Sequence, residues 1–387
     1  MINLVKNTIS KEELENLCEW ILSGSRLTKG ELTEQFENQW SKWLGKKHSI
    51  FVTSGSSANL AAFYALKLSG RLKNNKVILP TVSWSTTVAP AIQLGFDPFL
   101  CDCNLENLGL DINHLEKLIE EHDPSLIVTV NVLGFANNYD KIAKICEERG
   151  ILLLEDSCES IGSVAYGKKT GCFGDISTFS FYYGHHMSTI EGGMICTDDD
   201  ELAVFLRSIR CHGWDRDLPP ETQKKLRSEY DIDDFHAPYT FYYPGFNMRC
   251  TEIQAFLGIE QLKKIDLIIE KRQENFNIYQ KILKEIDFLS LNSTHSVISN
   301  FAYPIVHPKC KDIAKSLRAA GVEHRPLIVG SISRQPFWKN WKNINKSCIK
   351  MLPNGNLVHD KGLYIPNNHE LTEEEINYIC DAVKKEI

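Results

Sequence analysis

Ser180-Phe-Tyr-Tyr-Gly-His-His-Met-Ser-Thr-Ile-Glu-Gly-Gly193 grows out of a short apolar run, Thr178–Phe181. It carries a hydroxyl at a strand end, two adjacent histidines, and a carboxylate before paired glycines. By residue type alone, His185 and His186 form a surface or hydrogen-bonded pair with no chemical role. A metal site is not expected, because adjacent histidines on a strand or turn point apart and no third ligand stands out. The stretch gains weight from what surrounds it.

Apolar runs bounded by turn residues recur at Ser49–Val52, Lys76–Leu79, Ser125–Asn131, Ile151–Leu154 and Thr178–Phe181. Helix-length stretches such as Ser57–Leu68 and Leu115–His122 lie between them. Such alternation predicts an α/β domain with a largely parallel sheet. Glu252–Lys264 reads as an amphipathic helix, with a charged helix, Ile268–Leu283, behind it. After about residue 290 the pattern resets into strands and helices of a second domain. Two domains are expected, 1–265 and 266–387, with no internal repeat or low-complexity linker between them.

A length of 387 residues exceeds one ordinary core and agrees with that division. The net charge of -7 is mild, and lysines and arginines are scattered, so no nucleic-acid partner is expected. No apolar core follows Lys6 and no run approaches the ~20 residues that span a bilayer. Neither a secretory signal nor a membrane anchor is therefore expected. The twelve cysteines include no Cys-x-x-Cys pair, and Cys101 with Cys103 is the one close pair. Metal and iron–sulfur sites need grouped ligands, so the cysteines read as small buried hydrophobes of the reducing cytoplasm.

Three further segments carry chemistry. Thr53-Ser54-Gly55-Ser56-Ser57-Ala58-Asn59 follows an apolar run and opens a helix, which aims backbone N–H groups and the helix dipole at an anion. A plain helix cap is the alternative. Ile151–Leu154 runs into Glu155-Asp156-Ser157, a carboxylate at the C-terminal end of a strand, where α/β proteins bind ligands. Capping of the next turn is the bland reading there. Trp84, after Pro80-Thr81-Val82-Ser83, offers a flat face for a planar ring or a packing surface.

In this order, small-residue turn, aromatic, strand-end Asp, serine and Glu-Gly-Gly resemble the sugar aminotransferases that use pyridoxal phosphate, the DegT/DnrJ/EryC1/StrS family. The likeness runs from about Gly30 to the C-terminus and includes Gly245-Phe246-Asn247-Met248-Arg249, similar to the family's dimer-contact stretch. It implies the aspartate aminotransferase-like fold (type I), with a large cofactor-binding domain on a mixed, mostly parallel sheet and a smaller C-terminal α+β domain. It also implies a homodimer with shared active sites. By this likeness Gly55, Ser56 and Ser180 hold the phosphate, Trp84 stacks on the ring, and Asp156 pairs with the ring nitrogen. Asn247 reaches the phosphate bound in the partner subunit. Glu159 stands where the aminotransferases usually have glutamine, beside the ring hydroxyl. His185 stands where they have the lysine that anchors the cofactor covalently, and an imidazole cannot form that stable linkage.

The His-His…Glu-Gly-Gly run is most similar to the lysine-lacking branch of the family, the 3-dehydratases of GDP-linked 4-keto-6-deoxy sugars. Arg325-Pro326-Leu327 and Ser333-Arg334-Gln335-Pro336-Phe337 resemble that branch's substrate loop, and His212 lies in a segment like a family loop near the active site. The resemblance implies pyridoxal and pyridoxamine phosphate bound without a covalent link, glutamate as amino donor, and C3 deoxygenation of a nucleotide-linked sugar for surface polysaccharide. His185 is then the catalytic base and acid, a task its ordinary pKa of ~6.5 suits. A nucleotide-sugar aminotransferase and a non-catalytic homologue are the alternatives. The nucleotide, the choice of hexose or heptose, and the role of His186 stay open at this point.

Overall fold

The computed structural model describes residues 1–24, 26–284, 286, 295–341 and 351–387. Both the pattern reset near residue 290 and Cys348 lie outside these residues. Seven strands form the central sheet: β1 (His48–Val52), β2 (Lys76–Pro80), β3 (Asp97–Cys101), β4 (Leu126–Val130), β5 (Leu152–Asp156), and, beyond the short strands β6 (Val164–Ala165) and β7 (Lys168–Lys169), β8 (Ile176–Ser180) and β9 (Gly193–Thr197). Their order is β1-β9-β8-β5-β4-β2-β3, and β9 alone runs against the others.

Burial explains why the strands read as unbroken apolar runs. Every residue of β4, β8 and β9 is buried, as in a sheet covered on both faces. Helix Gly55–Leu68 lies against the sheet through Ala58, Ala61, Ala62, Phe63, Ala65 and Leu66, and Ser54 with Ser57 closes a capping box at its start. The aromatic cluster of Phe36, Trp40, Phe51, Phe179 and Phe181 fills the β1–β9–β8 end.

A second core gathers the C-terminal residues. Strand β10 (His295–Val297) pairs with β6, while β11 (Ala302–Val306), β12 (Arg325–Pro326) and β13 (Gly362–Pro366) form an antiparallel sheet in the order β11-β13-β12. Helices Cys310–Ala319 and Glu373–Lys384 contribute Ile313, Leu317, Ile376 and Ile379 to this core, and helix Ile265–Leu283 contributes Phe276 and Tyr279. Two long-range ties cross the molecule. Ile2 forms a parallel bridge with Val322, and Asp102 accepts from the N–H groups of Asn354 and Gly355 at the start of helix Pro353–Lys361. The sheet's C-terminal edge and the second core thus face each other across a cavity.

Candidate active site

A cavity of about 460 Å³ opens where β1, β5 and β8 end. Its walls bring together Gly55, Ser56, Trp84, Asp156, Glu159, Ser180, His185 and Arg325, which lie far apart in sequence. No lysine is among the lining residues.

The corner between the helix start at Gly55 and the end of β8 is built by close approach. A Cβ on Gly55 would stand 2.7 Å from the Ser180 Cβ and 2.9 Å from the Cys158 sulfur, so only glycine lets this helix start come so near the end of β8. Gly193 serves the same end, since a Cβ there would meet the Ser54 carbonyl oxygen at 2.3 Å. The Ser56 and Thr86 hydroxyls are 2.8 Å apart beside this corner.

Asp156 is buried and held by three donors. Its Oδ2 accepts from Asn59 Nδ2 at 2.8 Å and Thr87 Oγ1 at 2.7 Å, and its Oδ1 accepts from the Cys158 N–H at 3.0 Å. Thr178 in turn donates to Asn59 Oδ1 at 2.6 Å, fixing the amide so that its NH₂ faces the carboxylate. Asn59 and Thr87 were not singled out by sequence reasoning, although a buried asparagine on an otherwise apolar helix face is a usable signal. Trp84 stands 54% exposed at the cavity, a large flat face left uncovered by the chain itself.

Glu159 behaves differently from Asp156. Burial pushes its carboxyl up to about 8, aided by Asp156 and opposed by the Leu133 N–H, which donates to Oε2 at 2.9 Å. At neutral pH it is therefore a neutral acid, with an O–H to donate. This proton has a consequence for stability. The folded chain holds it up to about pH 8, whereas an unfolded glutamate releases it near 4.5, so stability falls as pH rises between those values. The loss is roughly 5 kcal/mol. We expect Glu159→Gln to remove this slope: its urea midpoint exceeds that of the wild type at pH 9 and approaches it at pH 5. Parallel midpoints at both pH values would contradict a neutral Glu159.

His185 lies in the turn after β8, beside the rings of Tyr182 and Phe301 at centroid distances of 6.2 and 5.4 Å. Its Nδ1 is buried without a hydrogen-bond partner. Burial lowers its pKa to about 4; the Cys158 backbone opposes the shift and Arg272 adds to it. The sequence expectation of a near-neutral imidazole is corrected on this point, because the ring loses its hydration and gains no counter-charge. At pH 7 it is an uncharged base. His186 points elsewhere, its Nε2 3.0 Å from the Ser299 carbonyl oxygen. The turn is strained: Ile190, β-branched, has φ +71°, a conformation costing on the order of 1–3 kcal/mol.

The second core and the N-terminus supply the opposite wall: Leu4, Val5, Phe301, Glu323, Arg325, Ile328 and Tyr364. Glu323 joins them, accepting from the Leu4 N–H at 2.9 Å and pairing with Arg325 at 2.5 Å. Three expected site residues lie elsewhere. Arg334 pairs with Asp360 at 2.7 Å and does not line the cavity. Asn247 and His212 also lie outside the lining, grouped around Arg249, whose Nε donates to Asn247 Oδ1 at 3.1 Å and whose Nη2 is 3.4 Å from His212 Nε2. No described helix is long and apolar enough to cross a membrane.

A sheet edge carrying a glycine-and-hydroxyl corner, an uncovered aromatic face and a buried carboxylate defines a class, and comparison with known proteins names it. Residues 8–384 match the DegT/DnrJ/EryC1/StrS aminotransferase family, and the chain belongs to it, with the aspartate aminotransferase-like fold (type I). Within that family the chain is 34% identical to the GDP-4-keto-6-deoxy-D-mannose 3-dehydratase of Escherichia coli O55:H7, over 99% of this chain and 100% of that protein. A crystal structure of GDP-4-keto-6-deoxymannose-3-dehydratase with bound GDP-perosamine superposes with a TM-score of 0.90 at 33% identity, covering 99% of this chain and 100% of that one. Another, with a trapped PLP-glutamate geminal diamine, has a TM-score of 0.89 at 32% identity, over 99% and 100%.

Proposed function

We propose that the chain is a pyridoxamine phosphate-dependent 3-dehydratase of a nucleotide-linked, GDP-type 4-keto-6-deoxy sugar, in the biosynthesis of a surface-polysaccharide sugar. One observation carries this reading: the cavity has the features of a pyridoxal phosphate site, but His185 and no lysine lies at it. The full-length likeness to 3-dehydratases supports the same reaction.

The residues present fit the cofactor. Gly55, Ser56 and Ser180 form the phosphate corner, Trp84 offers the stacking face, and Asp156 is a fixed carboxylate for the ring nitrogen. Neutral Glu159 can donate to the ring oxygen as the usual glutamine amide would, so the substitution keeps the hydrogen bond. When bound, pyridoxamine phosphate would supply an amine for the sugar's C4 ketone and a protonated ring that takes up the electron pair left by a proton removed from its C4′ carbon and gives it back to expel the C3 hydroxyl. Asp156 keeps the ring nitrogen's proton in place. His185 would accept the C4′ proton at a ring nitrogen and hand it to the departing C3 oxygen, which leaves as water. The wall of Leu4, Val5, Phe301 and Ile328 excludes water, while Arg325 is a cation for the substrate's diphosphate.

Asn247, His212 and Arg249 complete the reading as a group presented to a second copy's cavity, in a homodimer with shared sites; Arg334 belongs to the substrate loop's support. Residues 1–265 form the cofactor-binding domain and 266–387 the smaller one. The eleven cysteines among the described residues are unpaired, which suits a reducing cytoplasm. Glutamate recharges the cofactor in a separate half-reaction, in keeping with the glutamate adduct trapped in a similar protein.

The test is a screen of 4-keto nucleotide sugars with the cofactor and glutamate, read by mass spectrometry and ammonia release. We expect a product lighter by one oxygen with stoichiometric ammonia and no amino sugar. An amino sugar instead would make the protein a transaminase, and no reaction of glutamate with the cofactor would make it a non-catalytic homologue.

A further inference from the structure

Helix Ile265–Leu283 carries a charged group that the reaction above does not use. Arg272 is 2% exposed, yet no carboxylate among the described residues pairs with it. A buried guanidinium without a counter-charge is costly, and three carbonyls solvate it instead. One Nη donates to the backbone oxygens of Asn300, at 3.4 Å, and Asn367; the other donates to the carbonyl of His185, at 3.4 Å. The Asn367 amide returns bonds to the Arg272 carbonyl at 3.1 Å and the Asn300 carbonyl at 3.2 Å. His186 adds a fourth tie next door, to Ser299. The guanidinium fork therefore joins three chain segments: the turn that bears the base, the entry to β11 and the exit from β13.

We propose, on the reading of His185 as the base, that Arg272 is a positioning residue, clamping the His185 carbonyl to the second core so that the imidazole is held in one orientation at the cavity. Arginine suits this because its planar fork spans separate acceptors, which an ammonium point charge cannot. The charge acts on its surroundings: it contributes to the lowered pKa of His185, His186 and His369 alike. Other ionisable groups around the imidazole or the cavity are Asp156 at the end of β5, Cys158 and Glu159 after it, Tyr364 on β13, Glu323 and Arg325 on the far wall, and Tyr182, His186 and Glu191 on its own segment. Burial is the main cause of the neutral His185, and Arg272 pushes the ring the same way.

The deciding experiment is an NMR titration of histidine-labelled chain without cofactor, with His185→Gln identifying the His185 signals. In the wild type the imidazole stays neutral down to about pH 4. Arg272→Gln removes the charge and should raise that midpoint, since Arg272 and burial are the causes that lower it. Arg272→Lys keeps the charge and should leave the midpoint near wild type. Both variants lose the fork, so kcat of the loaded enzyme should fall about tenfold while KM for the nucleotide sugar stays within twofold. An unmoved midpoint in Arg272→Gln overturns the proposal, as does a kcat within twofold of wild type in both variants. The titration needs no turnover. A shift as expected, from a protein that yields no 3-deoxy product, would sink the dehydratase reading and leave the clamp standing.

Discussion

His185→Asn lowers C3 deoxygenation by about 10³-fold, while the variant still takes up the cofactor. The expectation rests on two features of the site. His185 is the one imidazole lining the cavity, its Nδ1 has no partner, and burial keeps the ring neutral at working pH, as a proton acceptor must be. A positioned general base is worth on the order of 10²–10⁴ in rate. Nothing at Ser56 or Asp156 depends on the histidine, since their partners are Asn59, Thr87, Thr86 and the Cys158 N–H. Equilibrium dialysis of pyridoxamine phosphate should therefore give affinities within a fewfold of wild type. Deoxygenation within tenfold of wild type would show that another group moves the proton. His185→Lys provides the converse: borohydride after loading with pyridoxal phosphate should fix the cofactor to the chain in the variant and not in the wild type, read as a mass increase.

Much of this site is legible in the sequence because it sits where periodic elements end. The run Leu152–Asp156 and the turn at Ser54–Ser57 announce a strand end and a helix start, and in a parallel sheet those ends converge on one edge. Asp156, Ser180 and Gly55 meet for that reason. Other parts have no local signature. Leu4 and Val5 reach the cavity only because Ile2 pairs with Val322 and the Leu4 N–H finds Glu323, contacts between segments over 300 residues apart. Phe301, Ile328 and Tyr364 likewise read as ordinary apolar positions of a second core. The pKa values were hidden for another reason. Glu159 and His185 take theirs from desolvation, which depends on the walls that other segments supply. Asn247 and His212 are legible as a motif, yet the single chain leaves them around Arg249, outside the cavity.

Asp156→Asn should cost more than about 100-fold in turnover, or ~2.7 kcal/mol, and weaken cofactor binding as well. Neighbouring carboxylates make the prediction specific. Residues 155 and 156 are consecutive on β5, so their side chains leave opposite faces of the sheet. Glu155 turns away from the cavity and accepts from the N–H groups of Phe173 at 2.9 Å and Gly174 at 3.2 Å and from Asn131 at 2.9 Å. Its work is to hold a loop. Asp156 lines the cavity and accepts from Asn59, Thr87 and Cys158, an arrangement that suits a carboxylate and conflicts with an amide. An asparagine would have to aim its NH₂ either at the Cys158 N–H or at Asn59 and Thr87, donor against donor, and it carries no charge to retain a proton on a ring nitrogen. Glu155→Gln should instead lower the melting temperature and leave the kcat of the folded fraction within a fewfold of wild type. Measuring kcat, pyridoxamine phosphate affinity and thermal midpoint for both variants separates the roles. Equal losses of kcat in the two would mean that β5 serves the site through its shape, and that the charge of Asp156 is not what the reaction uses.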